Sequence, residues 1–365
     1  MDGVAPARQV LKLSGPPDMA AAVPFVVGFQ PVESLVVIAL KGPRSEILHT
    51  LRVDLRDVDE VRRRDLLEQP VHPHTMAATL KRNGAEGALV VVVTESTAKG
   101  EDLAGRALAL ELRDELGALD IPVRDAILVQ DGRWFSYLCD NPECCPHEGT
   151  LIAGPAQDRV LAELAFAGVN PLTGREEIEA QVAHEDGIRA QAVEAAVDAL
   201  LAGGAPPDED DPFTALRTAF QAVRAGQQPE PQTVALCLLS LLDLLTRDAC
   251  LEPYEGDDGE VALKLWCLLT RLAPDELVAP PACLAAFVAL CFGRGALANS
   301  AIDRALTDRP DYSFAHLLAH MAGHGAPPTL MRRIARETLG DLGYSVLSDD
   351  DDESHDGPAE QSAAS

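Results

Sequence analysis

The sequence predicts an α/β domain followed by an all-α domain: a mixed α/β sheet domain in residues 1–173 and a helical-hairpin domain in residues 174–345. Two observations support this fold class. Runs rich in β-branched residues alternate with a helical pattern up to about residue 155, and only helical patterns continue from there to Leu342. A length of 365 residues is also enough for two domains. Residues 346–365 form the third segment, which we predict to be a disordered acidic tail.

The strands of the first domain are predicted from apolar and β-branched runs. They cover residues 34–40, 48–55, 88–94, 123–129 and 133–138. The turn-rich residues 41–44 predict a hairpin between the first two strands, and Asp131-Gly132 predicts another between the last two. Between them, residues 102–119 carry leucine and alanine at helical spacing. A strand, a helix, a strand and a closing hairpin indicate a mixed sheet in three layers.

The second domain is predicted to be helical throughout, with a helical stretch over residues 175–201 and a loop over residues 203–212. A pattern with an offset of 36 residues then appears, in which small residues, a larger anchor and a proline recur. The two copies are Ala262, Trp266, Leu269 and Pro274, then Ala298, Ile302, Ala305 and Pro310. This pattern resembles the second helix of a tetratricopeptide repeat, whereas an ordinary antiparallel helical domain is the alternative.

The charge distribution limits the classes of partner. The chain carries 30 basic and 58 acidic side chains, a formal net charge of −28, and only five lysines. General nucleic-acid binding is therefore not expected, because neutralising phosphates requires clustered Lys and Arg. Residues 1–175 account for −7 of this charge, and the run Asp349 to Glu353 lies in the acidic tail, so a partner attracted by charge is expected to be basic. No membrane span or signal peptide is predicted, and a cytoplasmic protein is expected.

The strongest candidate site is a cysteine loop. Cys139, Cys144, Cys145 and His147 follow the last predicted strand within nine residues, and Glu148 comes next. Thiolate, imidazole and carboxylate are the ligands that zinc prefers, so zinc is the cofactor that this set suits. The C-x4-C-C spacing in one loop differs from standard zinc motifs, which use two separated pairs.

Three other interpretations of this loop stay open. The thiols could serve packing or loop shape, one could be a redox or nucleophilic thiol, or two could form a disulfide. Acidic neighbours raise the pKa of a thiol, and this favours a bound cation over a catalytic cysteine.

Two groups of histidines and one glycine-containing segment are weaker candidates. His316, His320 and His324 recur every four residues, and His72 and His74 flank Pro73 in a predicted extended loop; in both groups a role without a ligand is favoured. Residues 28–34 contain polar groups, Glu33 and Ser34, at the start of a strand, where a turn-forming role is favoured over ligand binding. Four further cysteines lie among apolar helical residues and are predicted to be core residues: Cys237, Cys267, Cys283 and Cys291.

Three stretches together resemble a family of actinobacterial proteins described only as a domain of unknown function. They are residues 20–36 (Ala-Ala-Ala-Val-Pro, Gly-Phe-Gln-Pro and Ser-Leu-Val), residues 133–146 (Arg-Trp-Phe-Ser-Tyr to Cys-Cys-Pro) and residues 295–310 (Gly-Ala-Leu-Ala-Asn to Pro310). The resemblance covers most of the chain and implies no reaction, cofactor or substrate. His147 stands where the family resemblance leads us to expect proline.

The functional expectation has two parts. A protein-interaction or regulatory role through the helical-hairpin domain is favoured, because no complete catalytic set or nucleotide-binding motif is present. The alternative is a metal-binding or thiol-dependent enzyme or sensor at Cys139, Cys144 and Cys145. The residues do not decide whether the protein is an enzyme.

Overall fold

A computed structural model describes residues 15–95, 103–166, 171–203, 213–252 and 256–342. Its first half contains one mixed sheet of six strands in the order β2-β1-β3-β4-β5-β6. The strands are β1 (Ser34–Lys41), β2 (Glu46–Asp54), β3 (Gly87–Val93), β4 (Val123–Gln130), β5 (Arg133–Ser136) and β6 (Thr150–Leu151). Only β3 and β4 are parallel, and the other neighbouring strands pair in antiparallel fashion.

Helices cover both faces of this sheet and form the second half of the chain. Those of the first half are α1 (Pro16–Val27), α2 (Leu55–Arg63), α3 (Pro73–Arg82), α4 (Arg106–Ala118) and α5 (Pro155–Phe166). Those of the second half are α6 (Arg175–Glu179), α7 (Ile188–Ala202), α8 (Thr214–Arg224), α9 (Pro231–Ser240), α10 (Leu244–Ala249), α11 (Gly256–Leu272), α12 (Ala279–Cys291), α13 (Gly295–Asp308), α14 (Ser313–Gly323) and α15 (Pro328–Leu342). The predicted combination of a mixed α/β sheet with a helical region is confirmed.

The alternation of side chains along β1 explains the three layers. Val36 and Ile38 pack with Met19 and Val23 of α1 on one face. Leu35 and Val37 point to the other face and join a second cluster with α2, α3 and α4. Because β1 is apolar on both faces, it requires helices on both sides, which is why its sequence shows no polar alternation.

The predicted strands and hairpins are confirmed to within a few residues, and the helix predicted over 102–119 begins at Arg106. Asp131 and Gly132 both have positive φ, 49° and 68°, as a tight hairpin turn requires. One expectation was wrong: His72 and Pro73 do not lie in an extended loop but start α3, where His72 is the N-cap and Pro73 the first residue. Pro at this position fits because its missing N–H has no helical partner to lose.

The helical region is built around α12, all 13 residues of which are buried. The two copies of the repeat pattern lie in α11 and α13, which both pack against α12. The equivalent residues Trp266 and Ile302 are 0% and 3% exposed. Membership of a particular repeat family stays a prediction. The stretch predicted as one helix over 175–201 is two helices, α6 and α7.

Phe29 connects the two halves. It belongs to the core of the helical region although it follows α1, and it forms an isolated parallel bridge with Leu172. The guanidinium of Arg52, on β2, lies 5.4 Å from the centre of its ring. Gly28 ends α1 with φ of 90°, a conformation that glycine adopts without strain, and thereby turns the chain toward the helices.

The domain boundary near residue 173 stays a prediction. The acidic tail over 346–365 and most of the predicted loop over 203–212 lie outside the described residues. Among the described helices, none is both long and apolar enough to cross a lipid bilayer.

Candidate functional site

The cysteine loop, residues 137–149, begins and ends at the same edge of the sheet. It connects β5 to β6, which pair in antiparallel fashion with Trp134 opposite Thr150 and Arg133 opposite Leu151. The two ends of the loop are therefore held side by side by the strands, and its 13 residues must fold back within a short distance.

Buried contacts fix the start of the loop. Tyr137 is 2% exposed, its backbone N–H donates to the Ala126 carbonyl over 2.9 Å, and its hydroxyl donates to the Ala104 carbonyl. Desolvation by burial is the main reason that the pKa of the Tyr137 hydroxyl is raised, so this group stays protonated and remains a hydrogen-bond donor.

The end of the loop is fixed by a close approach. Gly149 has φ of 71°, and a Cβ atom there would lie 2.5 Å from the ring of Phe135. Arg133 donates from Nη1 to the Gly149 carbonyl over 2.9 Å. Only glycine fits this position without displacing the phenylalanine ring.

Asn141 folds the middle of the loop. Its backbone carbonyl accepts hydrogen bonds from the N–H groups of Cys144 (3.1 Å) and Cys145 (2.7 Å). Its side-chain oxygen accepts one from the N–H of Glu143 (3.0 Å), an Asx-type turn that asparagine favours. The turn reverses the chain and brings Cys144 and Cys145 back toward Cys139.

The three thiols converge. The Sγ atoms of Cys139, Cys144 and Cys145 all lie within 4.8 Å of one another. Cys145 is partly buried and packs against the sheet cluster that contains Trp134, whereas Cys144 is exposed. Among the described residues, no other set of three or more potential metal ligands comes this close together.

The environments of two of the thiols differ in their effect on protonation. A hydrogen bond from the backbone of Asn141, helped by bonds from the neighbouring thiols, lowers the pKa of Cys139. Desolvation, helped by hydrogen bonding to Cys139 and Cys144, raises the pKa of Cys145 to about 12. The cluster therefore stabilises a thiolate at Cys139 with a protonated neighbour that donates to it.

The other predicted ligands of the loop lie apart from the sulfurs. His147 and Glu148 are exposed and do not belong to the group of atoms within 4.8 Å. The Asp140 carboxylate lies 3.3 Å from Nη2 of Arg106, at the start of α4. The loop thus brings together the three cysteines predicted as ligands and leaves the histidine outside.

The two histidine groups form no metal site among the described residues. His316 and His324 each have a ring nitrogen within 2.8 Å of a backbone carbonyl, of Pro310 and His320 respectively. His72 accepts from the N–H of His74, whose own ring nitrogen lies 2.9 Å from a carboxylate oxygen of Glu115. These imidazoles cap helices and pair locally.

The polar groups at the start of β1 are also used internally. The Glu33 carboxylate accepts from the Thr94 hydroxyl (2.7 Å) and from the N–H of Glu95 (2.8 Å). Ser34 donates to the Val32 carbonyl and accepts from Nε of Arg52. The turn-forming role predicted for residues 28–34 is supported by these contacts.

The prediction that the remaining cysteines are core residues is confirmed. Cys237, Cys267, Cys283 and Cys291 are all buried. Cys250, which the sequence did not single out, is buried as well.

The functional residue of the loop that the sequence did not single out is Asn141. The Asn141-Pro142 pair, a turn signal, could have indicated that the chain reverses between the cysteines.

A family model described as "Domain of unknown function (DUF4192)" matches residues 16–329, which include the sheet, the cysteine loop and the helices up to the start of α15. No curated protein and no solved structure matches the chain.

Proposed function

We propose that this chain, which belongs to the DUF4192 family, binds a thiophilic metal ion through Cys139, Cys144 and Cys145. The convergence of the three sulfurs within 4.8 Å carries this proposal. In a tetrahedral zinc site with Zn–S bonds of about 2.3 Å, two sulfurs are about 3.8 Å apart. The loop therefore needs to contract by about 1 Å at most to close around an ion.

The charges and hydrogen bonds of the loop suit a cation. The lowered pKa of Cys139 makes it the thiol that gives up its proton most readily to a metal ion, and binding would displace the protons of all three thiols. The hydrogen bond from the Asn141 backbone to the Cys139 sulfur is the type of outer contact that orients metal-bound thiolates.

Three protein ligands leave a fourth position of a tetrahedral ion for water or for a ligand from outside the loop. Because Cys144 is exposed, we expect that position to face solvent. An open position distinguishes catalytic and sensing sites from closed structural ones. Zinc is the ion that best suits three sulfurs and one oxygen or nitrogen ligand, and His147 is not required.

Cobalt(II) titration of the reduced, untagged protein tests this proposal, because cobalt bound to thiolates produces strong charge-transfer absorption. We expect saturation at one ion per chain and displacement by zinc. Replacing Cys144 with Ser should weaken binding at least about tenfold, whereas His147→Ala should leave the affinity unchanged. Elemental analysis of the protein as isolated provides the second measurement.

Two results would contradict a three-sulfur site with an open fourth position. Binding that does not respond to Cys144→Ser would place the metal elsewhere, and loss of binding in His147→Ala would make the histidine the fourth ligand. Both variants change exposed residues, so unfolding is not expected to complicate the comparison.

Interaction with a protein partner is the second candidate function, and one observation favours it. Leu242, Leu244 and Leu245, in and before the first turn of α10, are 46%, 59% and 69% exposed. Asp243 lies between them and caps the helix by accepting from the N–H and hydroxyl of Thr246 at 2.8 and 2.9 Å. The cap fixes the segment in a conformation that presents leucines to solvent, where contiguous apolar surface indicates a binding face.

We propose that a protein with a matching apolar face and a basic rim binds this leucine segment, residues 242–245. Cross-linking and mass spectrometry in cells of the native host, with the native chain and a Leu244→Glu, Leu245→Glu variant side by side, test this proposal. A cross-linked protein that is lost in the variant supports it. Identical cross-links in both chains would remove the leucine segment from the binding face.

A further inference from the structure

A cleft of about 810 Å³ lies between the β1–β2 hairpin and the helices α12 and α15. One wall is the hairpin, residues 41–48, and the other consists of Phe292 after α12 and the first turns of α15. Its size falls within the range of small-molecule sites. The residues that line the cleft are distant in sequence from the cysteine loop, and none of them belongs to that loop.

Both walls of the cleft are held in place. Gly42 donates from its backbone to the Glu86 carboxylate over 3.0 Å, which anchors the hairpin turn. On the other side, Asn83, which follows α3, donates to the Gly325 carbonyl over 2.7 Å, just before α15. A Cβ atom at Gly325 would lie 2.9 Å from Leu51, so the loop before α15 presses closely against the sheet. The cleft is therefore formed without a ligand.

The charged groups lining the cleft are mostly cationic, in a chain whose net charge is −28. Lys41, Arg44 and Arg332 line it, against one carboxylate, Glu46. Nη1 of Arg332 donates to the Cys291 carbonyl over 2.6 Å, a contact that orients the guanidinium. The N-terminus of α15, at Pro328 and Thr329, lines the same cleft and adds the positive end of a helix dipole.

The remaining lining is apolar. Ile47, which is 44% exposed, together with Leu48 and Phe292, borders the cationic groups. Burying this surface requires an apolar ligand body, and the cations require an anionic group attached to it.

We propose that this cleft binds a small organic anion, with its phosphate or carboxylate held by Arg332, Arg44 and Lys41 and its apolar body against Ile47, Leu48 and Phe292. Arg332 provides the oriented contact, and the two side chains of the hairpin add electrostatic attraction. The site is independent of the metal-binding proposal, because no residue is shared between them.

A pair of dyes that differ in the anionic group tests the proposal on the full-length protein. We expect 1-anilinonaphthalene-8-sulfonate to bind with saturation at one equivalent, and neutral N-phenyl-1-naphthylamine, which has the same aromatic body, to bind at least about tenfold more weakly. Fluorescence gives the affinity, and calorimetry gives the stoichiometry.

The variants separate this cleft from other apolar surface. Arg332→Gln should weaken binding of the sulfonate about tenfold, and a Lys41→Gln, Arg44→Gln double variant about threefold to tenfold. The double variant changes only exposed side chains of the hairpin and keeps the Arg332 contact with α12, so it remains informative if Arg332→Gln unfolds. Arg333→Gln is the matched control, since Arg333 is the next residue, is exposed and does not line the cleft.

Competition identifies the anionic group. Displacement of the bound sulfonate by phenyl phosphate indicates a phosphorylated ligand, and displacement by phenylacetate indicates a carboxylate. Failure of both to compete, equal binding of the neutral dye, or equal binding by the double variant and by the Arg333→Gln control would overturn the proposal.

Discussion

The cysteine loop and the core around α12 place the same side chain in opposite environments. In the helical core, Cys237, Cys250 and Cys283 are 0% exposed, and desolvation raises the pKa of the Cys283 thiol to about 12. In the loop, an Asn141 N–H and neighbouring thiols lower the pKa of Cys139. The presence of cysteine alone therefore indicates no function in this chain. The pKa values of the thiols differ because the turn in the loop brings hydrogen-bond donors to the Cys139 sulfur, whereas the helical core surrounds its cysteines with hydrocarbon.

Alkylation rates should separate the two regions by the largest factor. We expect iodoacetamide to modify Cys139 of the reduced native protein at least about 100-fold faster than the five core cysteines, because attack requires an accessible thiolate and the pKa of Cys139 is the one that is lowered. Mass spectrometry of peptides over a time course measures each site. Similar rates at Cys139 and Cys283 would show that the core opens readily and would contradict the predicted difference in thiol access between the two regions.

Burial also shifts the pKa of an ionisable side chain in the sheet, His49. It is 9% exposed on β2, neither ring nitrogen has a hydrogen-bond partner among the described residues, and burial lowers its pKa from 6.5 to about 4. The folded state therefore favours neutral His49. Its contribution to stability is complete above pH 6.5 and is lost as the pH falls toward 4.

Replacing His49 with Leu should remove this pH dependence. The free energy of unfolding of the native chain should fall by about 2 kcal/mol more between pH 7 and pH 5 than that of His49→Leu. Urea unfolding at both pH values measures the difference, and carboxylates that titrate in the same range cancel between the two chains. Equal losses in both would mean that water or rearrangement solvates the protonated imidazole.

The last pair of positions tests how rigidly the cysteine loop is held. Gly149 and Gly132 both have positive φ, 71° and 68°, but nothing lies within 4 Å of a Cβ atom at Gly132. Gly132→Ala should cost about 1 kcal/mol of stability for backbone strain, and Gly149→Ala about 1 to 3 kcal/mol more because its methyl group meets Phe135. Thermal unfolding measures both. Equal costs would mean that the loop moves freely away from Phe135.

The strands and the core helices were predictable because burial on two faces leaves a strong local pattern. The continuous apolar runs of β1 and β3 and the Asp131-Gly132 turn are such patterns. α2 was not predicted, since only Val58 among its nine residues is buried. β6 was not predicted either, since two residues are too few for a periodic signal.

The candidate site was only half predictable. The composition of the loop indicated thiol chemistry, but spacing alone could not show that the Asn141 turn brings Cys144 and Cys145 to Cys139 and leaves His147 outside. The cleft could not be predicted at all, because Arg44 and Arg332 are separated by most of the chain and line one cleft only because the loop before α15 packs against the sheet.

β6 pairs only with Arg133 and Trp134, so Phe135 and Ser136 pair with β4 on one side and, among the described residues, with no strand on the other. The backbone groups of an uncovered border strand are a template for pairing with another chain. The cysteine loop leaves the sheet directly after Ser136, next to this border. We expect a chemical change that moves the loop, such as oxidation of Cys145, to alter access to this border and with it the tendency of the chain to self-associate.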